Sequence, residues 1–85
     1  MDDRPRHILE KFQEDSLTVA RFMERDEEFL ALCEDYDACV NALNYWAKSK
    51  APEAKTRVNE YRYLIRELEA EITQALAALE PRGLD

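Results

Sequence analysis

The feature that most constrains this sequence is an apolar stripe in its C-terminal third. Its members are alternately three and four residues apart: Val58, Tyr61, Ile65, Leu68, Ile72, Ala75 and Leu79. This spacing places the side chains along one side of an α-helix, as in coiled coils. We therefore predict a long helix over about residues 52–80, which needs a second apolar surface to cover its stripe. Pro81 and Gly83 end it and leave residues 81–85 as a tail.

A second stripe of the same spacing lies earlier in the chain and offers that surface. It runs, with an interruption at Arg25, through Phe22, Phe29, Leu32, Tyr36, Cys39, Leu43 and Trp46. We predict one long helix over about residues 17–48. An alternative remains open, in which Asp26 is the N-cap of a fresh helix whose first turn is acidic. If the chain reverses before Pro52, the two stripes face each other along their length.

The N-terminal residues predict a short leading helix over about residues 5–15. Pro5 suits a first helical turn, Asp2 or Asp3 can cap it, and its apolar side consists of Ile8, Leu9 and Phe12. One glycine and three prolines in 85 residues are too few turn residues for a β-rich fold. The predicted fold is all-α, a single domain over residues 1–85, in which an antiparallel, coiled-coil-like helical hairpin follows the short helix.

Both long helices also carry apolar residues beside their stripes, and two helices alone cannot enclose a core. We expect these flanking residues to be buried between two copies of the chain, as in a dimeric four-helix bundle. The predicted oligomer contacts are Leu30, Cys33, Val40, Leu64 and Leu76.

The charge of the chain argues against some classes of partner. The net charge is −7, from 19 acidic residues against 12 Lys and Arg, so phosphate backbones are repelled and nucleic acid is not an expected partner. The charge is uneven, because residues 10–37 are mainly acidic and residues 48–66 mainly basic. We find no export signal and no apolar run long enough to span a membrane. We therefore expect a cytoplasmic protein with reduced thiols and no membrane contact.

Both cysteines lie in the heptapeptide CEDYDAC, residues 33–39, which raises the question of a metal or redox site. On one helix Cys33 and Cys39 point about 120° apart, which is too divergent for one metal ion or a disulfide. A structural zinc site needs four ligands, and the sole histidine, His7, is distant. We favour core cysteines, with the acids of the segment (Glu34, Asp35 and Asp37) left mainly to solvent. The alternative is a small metal- or redox-responsive protein that uses the two thiols.

The sequence gives little support to catalysis. Ser16, Ser49 and His7 have no second base with which to build a nucleophile relay, and no glycine-rich phosphate loop is present. We predict that the chain is not an enzyme and needs no cofactor.

The predicted turn NYWAKSKAPEAK, residues 44–55, combines aromatic and basic side chains and is called the tip. Its Tyr45, Trp46, Lys48 and Lys50, together with Tyr63 on the outer face of the next helix, are candidate interaction residues. Two interpretations compete. Trp46 can close the end of the hairpin by packing on Val58, or the tip can recognise another protein that is acidic or rich in aromatic residues.

The segments DEEFLALCEDYDACVNALNYW and EYRYLIRELEAEI resemble the YdcH-like small bacterial helical-hairpin proteins. The resemblance covers roughly residues 26–79 and rests on Phe29, Leu32, Tyr36, Leu68 and Ile72. It implies a cytosolic hairpin that forms oligomers, and the family has no established activity to carry over. The predicted function is a non-enzymatic, self-associating interaction or scaffold module.

Overall fold

The computed structural model describes residues 5–79 and contains no strand within that range. Four α-helices follow one another: α1 (His7–Lys11), α2 (Ser16–Arg25), α3 (Glu27–Ala47) and α4 (Ala54–Leu79), with a 3₁₀ turn at Gln13–Asp15 between the first two. The prediction of an all-α fold is confirmed. The molecule is elongated, with principal extents of 52 × 29 × 21 Å. None of the four helices is both long and apolar enough to cross a membrane.

The single helix predicted over residues 17–48 is instead two helices, separated at Asp26. The backbone of Asp26 is extended, with φ −129° and ψ 111°. Its N–H closes α2 on the carbonyl oxygen of Phe22 at 2.9 Å. Its carboxylate accepts hydrogen bonds from the backbone N–H groups of Glu28 and Phe29, both at 3.0 Å. One residue thus ends α2 and caps α3, and such a cap stabilises a helix by about 1 kcal/mol. The alternative that the sequence left open is the observed one.

The break at Asp26 turns α2 back onto α3, and the core forms where all four helices meet. This end of the molecule, called the base, has a buried cluster consisting of Ile8, Val19, Met23, Phe29, Cys33, Tyr36, Ile72 and Leu76. Phe22, a predicted stripe residue, is only half-buried and meets Phe29 edge-on with ring centroids 6.0 Å apart. Val19 and Met23 take the inward positions of α2, since α2 is free to orient independently of α3.

The leading helix is shorter than predicted, and α3 holds its N-terminal end. Oδ1 of Asp37 accepts hydrogen bonds from the backbone N–H groups of Arg6 and His7, at 3.1 and 2.7 Å. The ring of His7 is also hydrogen-bonded through Nε2 to Oδ1 of Asn41, at 2.9 Å. Asp37 therefore has a structural role and is not simply solvated as predicted. The caps predicted at Asp2 or Asp3 lie outside the described residues.

A second polar contact joins α1 to α4. The hydroxyl of Tyr36 donates a hydrogen bond to Oε2 of Glu69 at 3.1 Å, and Nζ of Lys11 lies 3.6 Å from the same oxygen. The lysine is half exposed, so this ion pair contributes at most about 1 kcal/mol. Together with the Asp37 cap, it fixes α1 across the α3–α4 pair.

Residues 48–53 connect α3 to α4 without glycine. Oγ of Ser49 accepts a hydrogen bond from the backbone N–H of Ala51 at 3.1 Å, and no residue between 5 and 79 has a positive φ. Helix α4 begins at Ala54, two residues later than predicted. The two helices pack together, and none of their stripe residues is exposed. The buried ones are Phe29, Tyr36 and Ile72, and the others are half-buried.

Candidate interaction surfaces

Burial is concentrated at the base and falls sharply away from it. Of residues 37–71, called the distal half, only Ala54 is buried. The distal half consists of parts of α3 and α4 and their connection; Val40 and Leu68 pack against the base cluster, but no apolar residue of this half other than Ala54 is buried. Large side chains there are exposed: Tyr45 at 67 %, Tyr63 at 62 % and Leu64 at 44 %. Exposed aromatic and aliphatic residues of this kind are typical of protein–protein contact surfaces.

A groove lies between α3 and α4 on the side away from α1. It has a volume of about 480 Å³, is called the back groove, and is lined by Asp35, Ala38, Cys39, Tyr63, Leu64, Glu67, Leu68 and Glu71. Its side follows from helix geometry: Asp35 and Asp37 point about 160° apart on α3, and Asp37 binds α1. A neighbouring hollow of about 560 Å³ shares Tyr63 and Leu64. The two residues therefore contribute to both of these shallow surfaces.

The predicted oligomer contacts are divided between the core and this surface. Cys33 and Leu76 belong to the buried cluster, and Leu30 and Val40 pack against it from the side. Helices α1 and α2 supply the cover that the sequence interpretation assigned to a second copy, because α2 folds back at Asp26. Cys33 is 0 % exposed and has no surface left for a subunit contact, which corrects that assignment. Leu64 alone of the five is exposed.

The tip presents one exposed and one half-buried aromatic ring. Tyr45 and Trp46 meet edge-on with ring centroids 5.2 Å apart, and Trp46 is the half-buried one. Lys48 and Lys50 are exposed beside them. A hollow of about 430 Å³ is lined by Asn41, Asn44, Tyr45, Lys48 and Ser49. Trp46 is thus the more buried of the two rings, and Tyr45 is open to solvent.

The two thiols lie in different surroundings, and in both places the thiol resists ionisation to the thiolate. Burial, and then the Glu34 carboxylate, raises the pKa of Cys33 to about 12. Burial, and then Asp35, also raises the pKa of Cys39. A thiol with a raised pKa is a weak nucleophile and a weak metal ligand. Within residues 5–79 no three His, Cys, Asp or Glu side chains are arranged to hold a metal ion.

The Tyr36 hydroxyl at the base is also held in its neutral form. Burial raises its pKa to about 12, with smaller contributions from the charge of Glu69 and from the hydrogen bond to it. The neutral hydroxyl is the form that donates this hydrogen bond, so the perturbation reflects a structural role.

Sequence reasoning missed the polar residues that bind α1 and most of the back groove. Asp37, Asn41 and Glu69 carry no local signal, because their partners are distant in the chain. The groove residues Ala38 and Glu71 lie beside the predicted stripes, but the stripes alone do not tell which flank α1 covers.

No protein-family model matches this chain, and comparisons with curated proteins and with solved structures found no significant similarity.

Proposed function

We propose that this chain is a non-enzymatic interaction module that self-associates. In this proposal α3 and α4 form an antiparallel, coiled-coil-like hairpin, α1 and α2 close its base, and its distal half binds a partner. The observation that carries the proposal is the contrast in burial: residues 37–71 bury only Ala54 and expose Tyr45, Tyr63 and Leu64. Burying such side chains against a second protein surface gains about 25 cal/mol per Å² of apolar area.

The non-enzymatic part of the proposal is supported by what the polar side chains already do. His7 is hydrogen-bonded to Asn41, and the Ser49 hydroxyl accepts a bond in the connection. Cys33 is buried as a neutral thiol. Each of these potential catalytic groups has a structural partner or is inaccessible. The proposed setting is the cytoplasm, where the thiols stay reduced.

Sedimentation equilibrium over a wide range of protein concentrations tests self-association. We expect the average mass to rise from the 10.0 kDa of one chain toward twice that value. A mass that stays at 10.0 kDa at every concentration contradicts the proposal.

Thiol titration with and without zinc separates this function from a metal- or redox-responsive one. We expect Cys39 to react with a thiol reagent in the native protein and Cys33 to react only after unfolding, because Cys33 is fully buried. Zinc should leave both rates unchanged. Zinc retained by the native chain would favour the alternative.

A further inference from the structure

We infer that the back groove binds a second copy of this chain, running antiparallel about a two-fold axis at Leu64. The inference rests on the proposed self-association and deepens it, because it names the surface and the orientation.

The back groove is an apolar surface that the helices of residues 5–79 leave open. On the opposite flank of the α3–α4 pair, α1 is bound through Asp37, Asn41 and Glu69. The floor of the groove is half-buried and apolar, formed by Cys39 and Leu68, and its rim includes exposed Ala38 and Leu64. A helix surface with this pattern buries apolar area when it packs against another helix.

The charges along one flank of α4 indicate which partner fits. Arg57, Leu64 and Glu71 are seven residues apart, so they follow one another along the same side of the helix, and all three are exposed. Along this row of three residues the order is therefore positive, apolar, negative, and the exposed Glu60 and Glu67 lie beside the row. In an antiparallel pair with the axis at Leu64, Arg57 of each copy lies opposite Glu71 of the other. The pattern is self-complementary, as a two-fold interface requires.

The same charges disfavour other arrangements. A parallel pair in register would place Arg57 against Arg57 and Glu71 against Glu71, and like charges in contact are repulsive. The acidic lining of the groove, which includes Asp35 and Glu67, also repels a phosphate-rich partner. These two carboxylates are exposed, so they can remain hydrated at the rim of an interface.

Arg57 is able to make the contact between copies. In one chain its Nη1 bonds Oε1 of Glu60 at 2.9 Å, and both side chains are about half exposed. Such a surface pair contributes little to stability, and a guanidinium has five N–H donors, so it can bind a second carboxylate. We assign the affinity to the apolar contact around Leu64 and the orientation to the two Arg57–Glu71 pairs.

A charge swap tests the orientation. The variants Arg57→Glu and Glu71→Arg should each raise the dimer dissociation constant about tenfold, because each places like charges across the interface. The double variant Arg57→Glu/Glu71→Arg should return to within about threefold of the unchanged chain, because it restores opposite charges with their positions exchanged. If both single variants weaken association and the double variant does not recover, the antiparallel arrangement is overturned.

A matched pair of leucine variants tests the surface. Leu64→Glu should raise the dissociation constant at least about tenfold, because it buries a charge in the apolar contact. Leu17→Glu is the control, since Leu17 on α2 is 69 % exposed and does not line the groove. Leu17→Glu should leave association unchanged, and circular dichroism should show native helix content for both variants.

The outcomes separate this inference from the proposed function. If the unchanged chain associates and Leu64→Glu associates equally well, the groove assignment fails while self-association stands. If the unchanged chain never associates, both fail, and the groove must bind a different partner or none.

Discussion

The base and the distal half share helices α3 and α4, yet they differ in how completely they bury their apolar residues. At the base, α1 and α2 lie over α3 and α4, and residues such as Cys33 and Ile72 are fully enclosed. In the distal half, where α1 and α2 contribute less cover, the stripe residues of α3 and α4 stay half-buried. An apolar stripe on one helix is thus enough for packing against a second helix. In a chain of this size, full burial of the stripe residues requires a further layer of helices.

The largest expected difference comes from truncating the same residue type in the two regions. Ile72 is fully buried at the base, and Ile65, one heptad earlier on α4, is half-buried in the distal half. Ile72→Ala should lower the free energy of unfolding by about 3–4 kcal/mol and Ile65→Ala by about 1–2 kcal/mol. Urea unfolding followed by circular dichroism, at one protein concentration, measures both. Equal losses would contradict the contrast between the regions.

Alkaline pH should destabilise the base through Cys33 and Tyr36. Both pKa values are raised to about 12 in the folded chain, from ordinary values of 9.0 and 10.0. Below pH 9.0 both groups are neutral in either state, so this contribution to stability is fully present. Above that pH the unfolded chain loses protons that the folded chain retains. The free energy of unfolding should then fall, by at most about 1.4 kcal/mol per pH unit for each group, until the folded groups ionise.

Single variants assign this pH dependence to the two groups. Cys33→Ala should flatten the fall just above pH 9.0, and Tyr36→Phe should flatten the part that begins near pH 10.0. The slope against pH is the quantity to compare, because each substitution also changes packing. If the slope of the unfolding free energy against pH is the same in Cys33→Ala as in the unchanged chain, folding does not raise the pKa of Cys33.

Removing a hydrogen-bonding side chain at the α2–α3 boundary and in the α3–α4 connection should give a smaller contrast in stability. Asp26→Ala removes two hydrogen bonds to the first turn of α3 and should cost about 1 kcal/mol. Ser49→Ala removes one bond in an exposed connection and should cost a few tenths of a kcal/mol, roughly. Thermal unfolding compares the two. A loss in Ser49→Ala as large as that in Asp26→Ala would mean that the Ser49 hydroxyl stabilises the fold as much as the Asp26 cap does, which contradicts the expected contrast.

The smallest effect is expected at the tip. Tyr45 is 67 % exposed, so Tyr45→Ala should change the free energy of unfolding by less than about 0.5 kcal/mol. Trp46→Ala should cost more, because Trp46 is larger and is partly buried, whereas Tyr45 is exposed. If Tyr45→Ala abolishes capture of an acidic protein at unchanged stability, the tip has a recognition function. Equal destabilisation by both variants would contradict the different placement of the two rings.

The sequence predicts well what depends on neighbouring residues. The stripes of α3 and α4 are periodic, so every member could be placed on the protected side of its helix. The cap at Asp26 was also readable, since a capping residue followed by two acids is a local signal. What favoured one continuous helix was the heptad position of Phe22, and the structure shows that this position does not determine where α2 packs.

Contacts between distant parts of the chain could not be predicted in this way. The bonds from Asp37 to the start of α1 join residues about thirty positions apart, and nothing in CEDYDAC distinguishes this acid from its neighbours. The pattern of Arg57, Leu64 and Glu71 is present in the sequence. It predicts an interface only once the position of α1 shows which flank of α4 is open. Local periodicity thus determines where the helices form, and long-range contacts determine which of their surfaces stay exposed.

The cap that Asp37 places on α1 has a consequence for the order in which the molecule forms. A ribosome makes α1 and α2 before α3 and α4, yet a helix of five residues is not stable alone, and the residues that bind and cover it come later in the chain. Ile8 and Met23 therefore stay exposed to water while α3 and α4 are being made. During synthesis the N-terminal segment therefore lacks the cover that leaves its Ile8 0 % exposed in the folded protein.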